Sequence, residues 1–214
     1  MTTARIQGIV GAFVVMAAAL GAAAPSYATP RAALAVVEVL APGNPEQVEV
    51  RDGTFSTEIA IGGAATTPAD QAKLQNLKLG DELAVAVQKA LIAKGLSAYV
   101  TGTDPHPWPT SSLQLSIDDT RYERRLEGKI GPNLLIRFRL YDATSRDKLA
   151  SDTYTYDMYA KTIGRTILRP PEEFGFDKPE DLTAHPEVVL AAMRRGLDMI
   201  AAQIATDILA DMDE

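Results

Sequence analysis

The sequence predicts an α+β fold, a two-layer sandwich in which a mostly antiparallel sheet carries two amphipathic helices packed on one face. Two observations predict it. Three segments between residues 113 and 158 alternate apolar and polar side chains, as strands do when only one sheet face is buried. Two longer stretches, about 68–94 and 186–212, repeat apolar residues at steps of three and four, as amphipathic helices do. A two-layer arrangement buries both kinds of apolar surface.

Residues 1–28 are predicted to be a secretory signal peptide, and residues 29–214 a single domain. Arg5 supplies the positive start, an apolar segment follows, and the small side chains of Ser26 and Ala28 favour cleavage after Ala28. Cleavage after Ala24 and retention as a membrane anchor are the alternatives, although the apolar segment is shorter than the about 20 residues of a spanning helix. We therefore expect a periplasmic protein.

Short strands open the predicted domain. Residues 34–40 are rich in β-branched side chains, and the proline and glycine that follow end the strand. Alternation at 48–50 and again at 59–61 predicts two strands around a turn at 52–53.

The first helical stretch has signals at both of its ends. Thr67 is placed to cap the N-terminus with Pro68 in the first turn, and Gly95 suits the C-terminal end. Gly80 leaves open a division into a short helix and a stronger one. A strand at 96–101 follows. The apolar stripe of the stretch consists of Leu79, Leu83, Val87, Ala90 and Leu91.

A proline-rich loop and an antiparallel meander come next. Three prolines between residues 103 and 110 exclude a helix interior or a central strand there. The predicted strands lie around 113–117, 134–140 and 153–158, with turns at 131–133 and 143–147.

The last helix is predicted from Pro186, a residue that suits a first turn, to about residue 212. Before it, residues 170–179 are irregular, and Phe174 and Phe176 are expected to fasten this segment to the core. The apolar stripe of the helix consists of Val189, Met193, Leu197, Ile200, Ile204 and Ile208.

Composition excludes several classes of function. The chain has 21 basic and 28 acidic residues and a net charge of −7, which argues against a nucleic-acid binder. The absence of cysteine excludes disulfides, a thiolate nucleophile and a lipidated N-terminal cysteine. Two histidines argue against a histidine metal site, and no nucleophile elbow, phosphate loop or dinucleotide fingerprint occurs. We therefore expect a non-enzymatic protein without a metal or cofactor.

The candidate binding residues fall into two groups. A loop tryptophan and its neighbouring histidine are typical of contact sites, because tryptophan is enriched at interface hot spots. Several arginines of the meander form a second group that could bind an anionic lipid head group or an acidic partner. The alternative is that acids of the neighbouring strands, namely Asp118, Glu123, Asp152 and Asp157, pair with these arginines across the strands. The candidate partner-binding residues are His106, Trp108, Arg121, Arg125, Arg137 and Arg139.

The order of these elements resembles a known type of protein. A strand, a helix like that at 79–95, another strand, long strands at 113–121 and 134–155, and a final amphipathic helix are the layout of small bacterial envelope lipoproteins. These are the auxiliary lipoproteins of ABC-type lipid transporters and the lipopolysaccharide-assembly lipoproteins. The present sequence lacks their lipidated cysteine. The resemblance implies an accessory factor of an envelope transport or surface-assembly system.

Three functional hypotheses follow. The first is a non-enzymatic periplasmic protein that binds an envelope protein partner through the loop at 105–109, the arginine-rich strand face and an exposed edge of the meander. The second is a small-molecule or lipid-binding module, with an apolar cleft between helices and sheet and arginines at its mouth. The third is a hydrolase using acids such as Asp118, Asp119 and Glu123, for which strand-end acids near turns are the alternative explanation.

Overall fold

The computed structural model describes residues 36–45, 48–52, 55–57, 78–101, 110–124, 128–161 and 165–213. The strands of this part of the chain are β1 (Val36–Leu40), β2 (Glu49–Asp52), β3 (Phe55–Thr57), β4 (Ser97–Val100), β5 (Ser111–Arg124), β6 (Gly131–Tyr141), β7 (Lys148–Asp157) and β8 (Thr166–Leu168). Its helices are α1 (Leu79–Ala93), α2 (Pro179–Ala184) and α3 (Pro186–Asp213), with a 3₁₀ turn at Glu172–Phe174. The predicted signal peptide and the predicted helix start at Thr67 and Pro68 lie outside the described residues.

The described strands form one mixed sheet, built around the long strand β5. The meander β5–β6–β7 is antiparallel, as predicted. Two strands share the other edge of β5, both in parallel: β1 pairs with the first residues of β5 and β2 pairs with its last residues. At the far side of the meander, β8 pairs in parallel with β7. β8 pairs with β7 only at Tyr154–Tyr156, so the earlier part of β7 is an edge of the meander that no described strand covers. The sheet also ends at β3, β4 and β8.

A β-bulge at Asp118 changes which residues of β5 face the core. Before the bulge, the buried residues of β5 include the odd-numbered Leu113 and Leu115, opposite Leu140 and Phe138. After the bulge, the even-numbered Tyr122 is buried. One extra residue in a strand shifts every later side chain to the other face. The bulge therefore keeps both halves of β5 in register with the apolar face of β6.

Both long helices cover the same face of the sheet, which confirms the predicted α+β sandwich. Helix α1 packs on β1, β4 and β5, while α3 packs on β6, β7 and β8 and against α1. The predicted stripes of both helices are buried between these layers, with Leu83, Val87 and Ile200 fully buried. Among the described residues, no helix has both the length and the apolar character needed to span a bilayer.

The N-terminus of α1 is held by the loop that follows β1. The side-chain oxygen of Asn44 accepts hydrogen bonds from the backbone N–H groups of Gly80 (2.8 Å) and Asp81 (3.2 Å). A Cβ atom at Gly80 would collide with the carbonyl oxygen of Pro42. Gly80 is therefore the point of closest approach between loop and helix, inside the first turn of α1.

The irregular segment before α3 is fastened to the core through aromatic side chains, as predicted. Phe176 is buried, its ring lies 5.9 Å from that of Tyr122, and its backbone exchanges two hydrogen bonds with Ile130. Phe174 packs partly buried against the same core.

Candidate interaction surface

The face of the sheet opposite the helices is the candidate interaction surface, and we call it the outer face. On β6, the residues at even positions from 134 to 140 are buried against the helices, so Arg137 and Arg139 point the other way. No described helix packs on the outer face. Regular alternation along β6 therefore places two arginines on a sheet face that none of the described helices covers.

Arg139 lies at the centre of the outer face. Its cross-strand neighbours are Gln114 on β5 and Ser151 on β7, and all three side chains are exposed. Within the described part of the chain, Arg139 forms no ion pair. Its guanidinium is consequently an exposed cation between two neutral cross-strand neighbours that donate and accept hydrogen bonds.

Arg137 is paired but still accessible. Its Nη2 atom lies 2.5 Å from Oδ2 of Asp118, the residue that the bulge adds to β5, and 42% of its side chain is exposed. The other carboxylate oxygen of Asp118 accepts a hydrogen bond from Ser116 at 2.9 Å. The bulge thus supplies a carboxylate that orients Arg137.

Arg121 is held by acids of its own strand. It contacts Asp119 at 2.6 Å and Glu123 at 3.0 Å, and only 17% of its side chain is exposed. The residues at i±2 on a strand share one face, which brings the three charges together. The cross-strand pairing that the sequence left open is therefore present at Arg137, whereas Arg121 pairs within its own strand. His106, Trp108 and Arg125 lie outside the described residues.

A further arginine, which sequence reasoning missed, reaches the outer face. Arg146 lies in the predicted turn after β6, with a positive φ of 64°, and its Nη1 donates a 3.2 Å hydrogen bond to Oγ of Ser112. Ser112 is next but one to Gln114 on the same face of β5. The sequence of a turn does not indicate which strand a long side chain will reach, so this contact could not be predicted from the sequence.

The carboxylates considered for acid–base chemistry are engaged in other contacts. Asp118 binds Arg137, while Asp119 and Glu123 bind Arg121. Asp142 lies in the turn after β6, where hydrogen bonds from the backbone N–H groups of Ser145 and Thr144, both 2.7 Å, lower its pKa. In the described ranges, no group of three or more histidine and acidic residues is placed to hold a metal ion.

A groove lies between α1 and α3, on the side of the molecule away from the arginines. Its volume is about 410 Å³, and Val85, Ala86 and Leu197 form its apolar part. Arg194 of α3 joins Glu82 of α1 through two hydrogen bonds of 2.9 and 3.0 Å, which raise the pKa of Arg194. Arg121, Arg137 and Arg139 face away from both helices, so they do not border a space between helices and sheet.

Five buried hydroxyls have no hydrogen-bond partner among the described residues: those of Ser111, Thr120, Tyr122, Thr155 and Tyr156. Burial raises the pKa of both tyrosines far above the ordinary value. By contrast, the third buried tyrosine, Tyr154, donates a hydrogen bond to Asp207 on α3.

Comparison with known proteins gives a likeness of fold. No protein-family model and no curated protein sequence matches the chain. A Xanthomonas campestris protein of the DUF330 family has a structure similar to it, with a TM-score of 0.54 and 14% identity over 87% of this chain and 90% of that one. This likeness shows a shared fold alone.

More distant similarities include two further solved structures. The PelC dodecamer of Paraburkholderia phytofirmans matches with a TM-score of 0.35 and 12% identity over 79% of this chain and 90% of that one. A minor lipoprotein of Acinetobacter baumannii matches with a TM-score of 0.29 and 14% identity over 78% and 95% of the two chains.

Proposed function

We propose that this protein is a non-enzymatic periplasmic accessory factor of an envelope transport or surface-assembly system, and that it binds a protein partner through the outer face. The observation that carries the proposal is the exposed guanidinium of Arg139 on a sheet face that no described helix covers. The partner surface expected there carries carboxylates, which arginine binds with two parallel hydrogen bonds.

The surroundings of Arg139 support a protein partner. Gln114 and Ser151 flank it in its own cross-strand row, and Ser116 and Thr153 flank Arg137 in the next. Such side chains form the mixed hydrogen-bonding surface that interfaces use around a charged anchor. Of the acids on the same face, Asp118 pairs with Arg137, and Glu38 accepts a hydrogen bond from Thr101. Within the described residues, neither carboxylate pairs with Arg139.

The layout of the fold supports the envelope role. The predicted signal peptide directs the chain to the periplasm, and the order of its elements resembles auxiliary envelope lipoproteins. The sequence contains no cysteine, the residue that carries the lipid in those proteins. We infer that it reaches the membrane-embedded part of its system through protein contacts.

The test is capture of the partner from envelope extracts of the host, followed by titration with the purified partner. Native protein should retain the partner, and Arg139→Glu should weaken binding about tenfold or more. Arg195→Glu is the matched control, because Arg195 is an exposed arginine on α3, on the opposite side of the molecule. Equal loss with both variants, or no partner retained by native protein, would overturn the proposal.

A further inference from the structure

The exposed large hydrophobic side chains of the part of the chain that the structure describes lie on one line of α1. Among the described residues, the large hydrophobic side chains that are exposed are Val85 (40%) and Ile92 (52%). They are seven residues apart, which is two helical turns and about 10 Å along the axis, so they lie on the same stripe. An apolar stripe on the solvent side of a helix is typical of a helix–helix contact surface.

The charges around Val85 are balanced. The groove beside it is lined by basic Lys78, Lys89 and Arg194, and by acidic Asp81, Glu82 and Asp198. On α1, Asp81 precedes Val85 by one turn and Lys89 follows it by one turn, and both side chains are exposed. The surface is therefore apolar at its centre and carries opposite charges at equal distances on either side.

This pattern is complementary to itself. Consider two antiparallel copies of α1 that cross at Val85. A residue that follows Val85 by some number of positions then faces, in the other helix, the residue that precedes Val85 by the same number. Lys89 then faces Asp81 of the second copy, twice, and Ile92 packs on the aliphatic part of Lys78. Contacts repeated twice about a two-fold axis are the mark of an isologous interface.

We propose that the α1–α3 groove is a homodimer interface, in which α1 of a second copy of this chain lies antiparallel to α1 with Val85 near the two-fold axis. The charge complementarity of the groove with itself selects a second copy over a purely apolar or singly charged occupant. The Arg194–Glu82 pair forms the wall of the groove in each copy. The dimer leaves both outer faces uncovered, so this inference does not depend on the proposed function.

The absence of cysteine in this chain makes a direct test possible. A single Val85→Cys substitution places two thiols across the axis, where the Cα atoms can reach the roughly 4–7 Å separation that a disulfide needs. Ile92→Cys is the matched control: it is more exposed, but faces residue 78 rather than itself. Under mild oxidation Val85→Cys should form covalent dimers, and Ile92→Cys should do so only when mixed with Lys78→Cys.

Charge exchange provides a second readout, with purified protein in sedimentation equilibrium. Lys89→Glu and Asp81→Lys should each weaken the native dimer about 30-fold or more, and an equimolar mixture of the two variants should restore it, because both cross-axis pairs are then opposite in sign. Circular dichroism checks that each variant is folded. Restoration by mixing distinguishes an interface from loss of fold.

Three outcomes would overturn the dimer. The first is native protein that sediments as a monomer at the concentrations of the cross-linking experiment. The second is oxidation of Val85→Cys no faster than that of Ile92→Cys. The third is native mass spectrometry showing a monomer with a co-purified lipid, which would assign the groove to a small amphiphile.

Discussion

The hydroxyl of Tyr154 donates a 2.8 Å hydrogen bond to Oδ2 of Asp207, and this bond ties the centre of β7 to α3. The second carboxylate oxygen of Asp207 accepts a hydrogen bond from Gln203 at 2.8 Å, one turn earlier on the helix. Below the hydroxyl, the ring of Tyr154 stacks on that of Phe138 with centroids 5.9 Å apart. The Tyr154 side chain therefore packs in the apolar core through its ring and forms a polar contact with α3 through its hydroxyl.

Tyr154→Phe should destabilise the protein. It removes the hydroxyl while leaving the ring in place, and a charge-assisted hydrogen bond contributes about 1.5–3 kcal/mol to the free energy of unfolding. Urea unfolding followed by circular dichroism measures this difference. An unchanged free energy of unfolding would mean that Asp207 is equally well solvated without its tyrosine partner.

Tyr122→Phe should have the opposite sign and serves as the comparison for Tyr154. The Tyr122 hydroxyl is buried without a hydrogen-bond partner among the described residues, so its removal relieves an uncompensated desolvation cost. We expect the free energy of unfolding to rise by up to about 1 kcal/mol. Loss of stability comparable to that of Tyr154→Phe would show that this hydroxyl has a partner after all.

Stability should fall in alkaline solution, above pH 10. Burial raises the pKa values of Tyr122, Tyr154 and Tyr156 in the folded state, whereas the unfolded chain keeps the ordinary value of 10.0. Above that value the unfolded state releases protons that the folded state retains, so each tyrosine lowers the free energy of unfolding by up to about 1.4 kcal/mol per pH unit. Below pH 10 these tyrosines contribute no pH dependence.

The measurement is the tyrosinate absorbance of native protein against pH, compared with its circular dichroism. The three buried tyrosines should ionise together with loss of structure. Smooth ionisation of every tyrosine near pH 10, with the fold intact, would contradict the prediction. Repeating the titration with Tyr122→Phe should give a shallower decline in stability.

Gly80→Ala should be strongly destabilising, although alanine is the better helix former. Its Cβ would collide with the Pro42 carbonyl oxygen and push the loop away from the helix N-terminus that Asn44 caps. We expect a loss of about 1–3 kcal/mol or more. Gly43→Ala is the control, because a Cβ there meets nothing within 4 Å, and it should leave the thermal midpoint nearly unchanged.

Asn44→Ala should cost about 0.5–2 kcal/mol, as the loss of a helix cap does elsewhere. The helix itself should persist, because its buried stripe remains. Asn44→Asp is the informative second variant, since aspartate also accepts the bonds from Gly80 and Asp81 and should restore most of the stability. Failure of Asn44→Asp to recover stability would point to repulsion from Asp81, whose carboxylate lies 3.3 Å from the Asn44 amide nitrogen.

Local patterns predicted the fold well where the structure is local. The alternation along β6 and the stripe of α3 depend on neighbouring residues, so Ile136, Phe138 and Ile200 could be assigned to the core from the sequence. Features that join distant parts of the chain could not be predicted. The described N-terminus of α1 is capped by Asn44, 36 residues before Gly80, whereas the cap predicted from the sequence, Thr67, lies outside the described residues.

In the candidate site, too, local features could be predicted from the sequence and long-range contacts could not. Period-two alternation identified Arg137 and Arg139 as neighbours on one strand face. It could not reveal that a bulge at Asp118 would supply a partner for Arg137, because a bulge depends on the register of two strands. Nor could it show Arg146 reaching Ser112, or α3 forming a groove beside Val85. These contacts are set by tertiary packing.

The divided edge of β5 has a consequence for the order of folding. The meander closes through short loops, whereas β1 must bring Val37 beside Ser111 across a long intervening chain, and such non-local parallel pairing is slow. We expect the meander and α3 to form the nucleus and β1 to add late. A folding chain would then expose the β5 edge until β1 and β2 arrive, and in that interval it is most vulnerable to edge-to-edge aggregation.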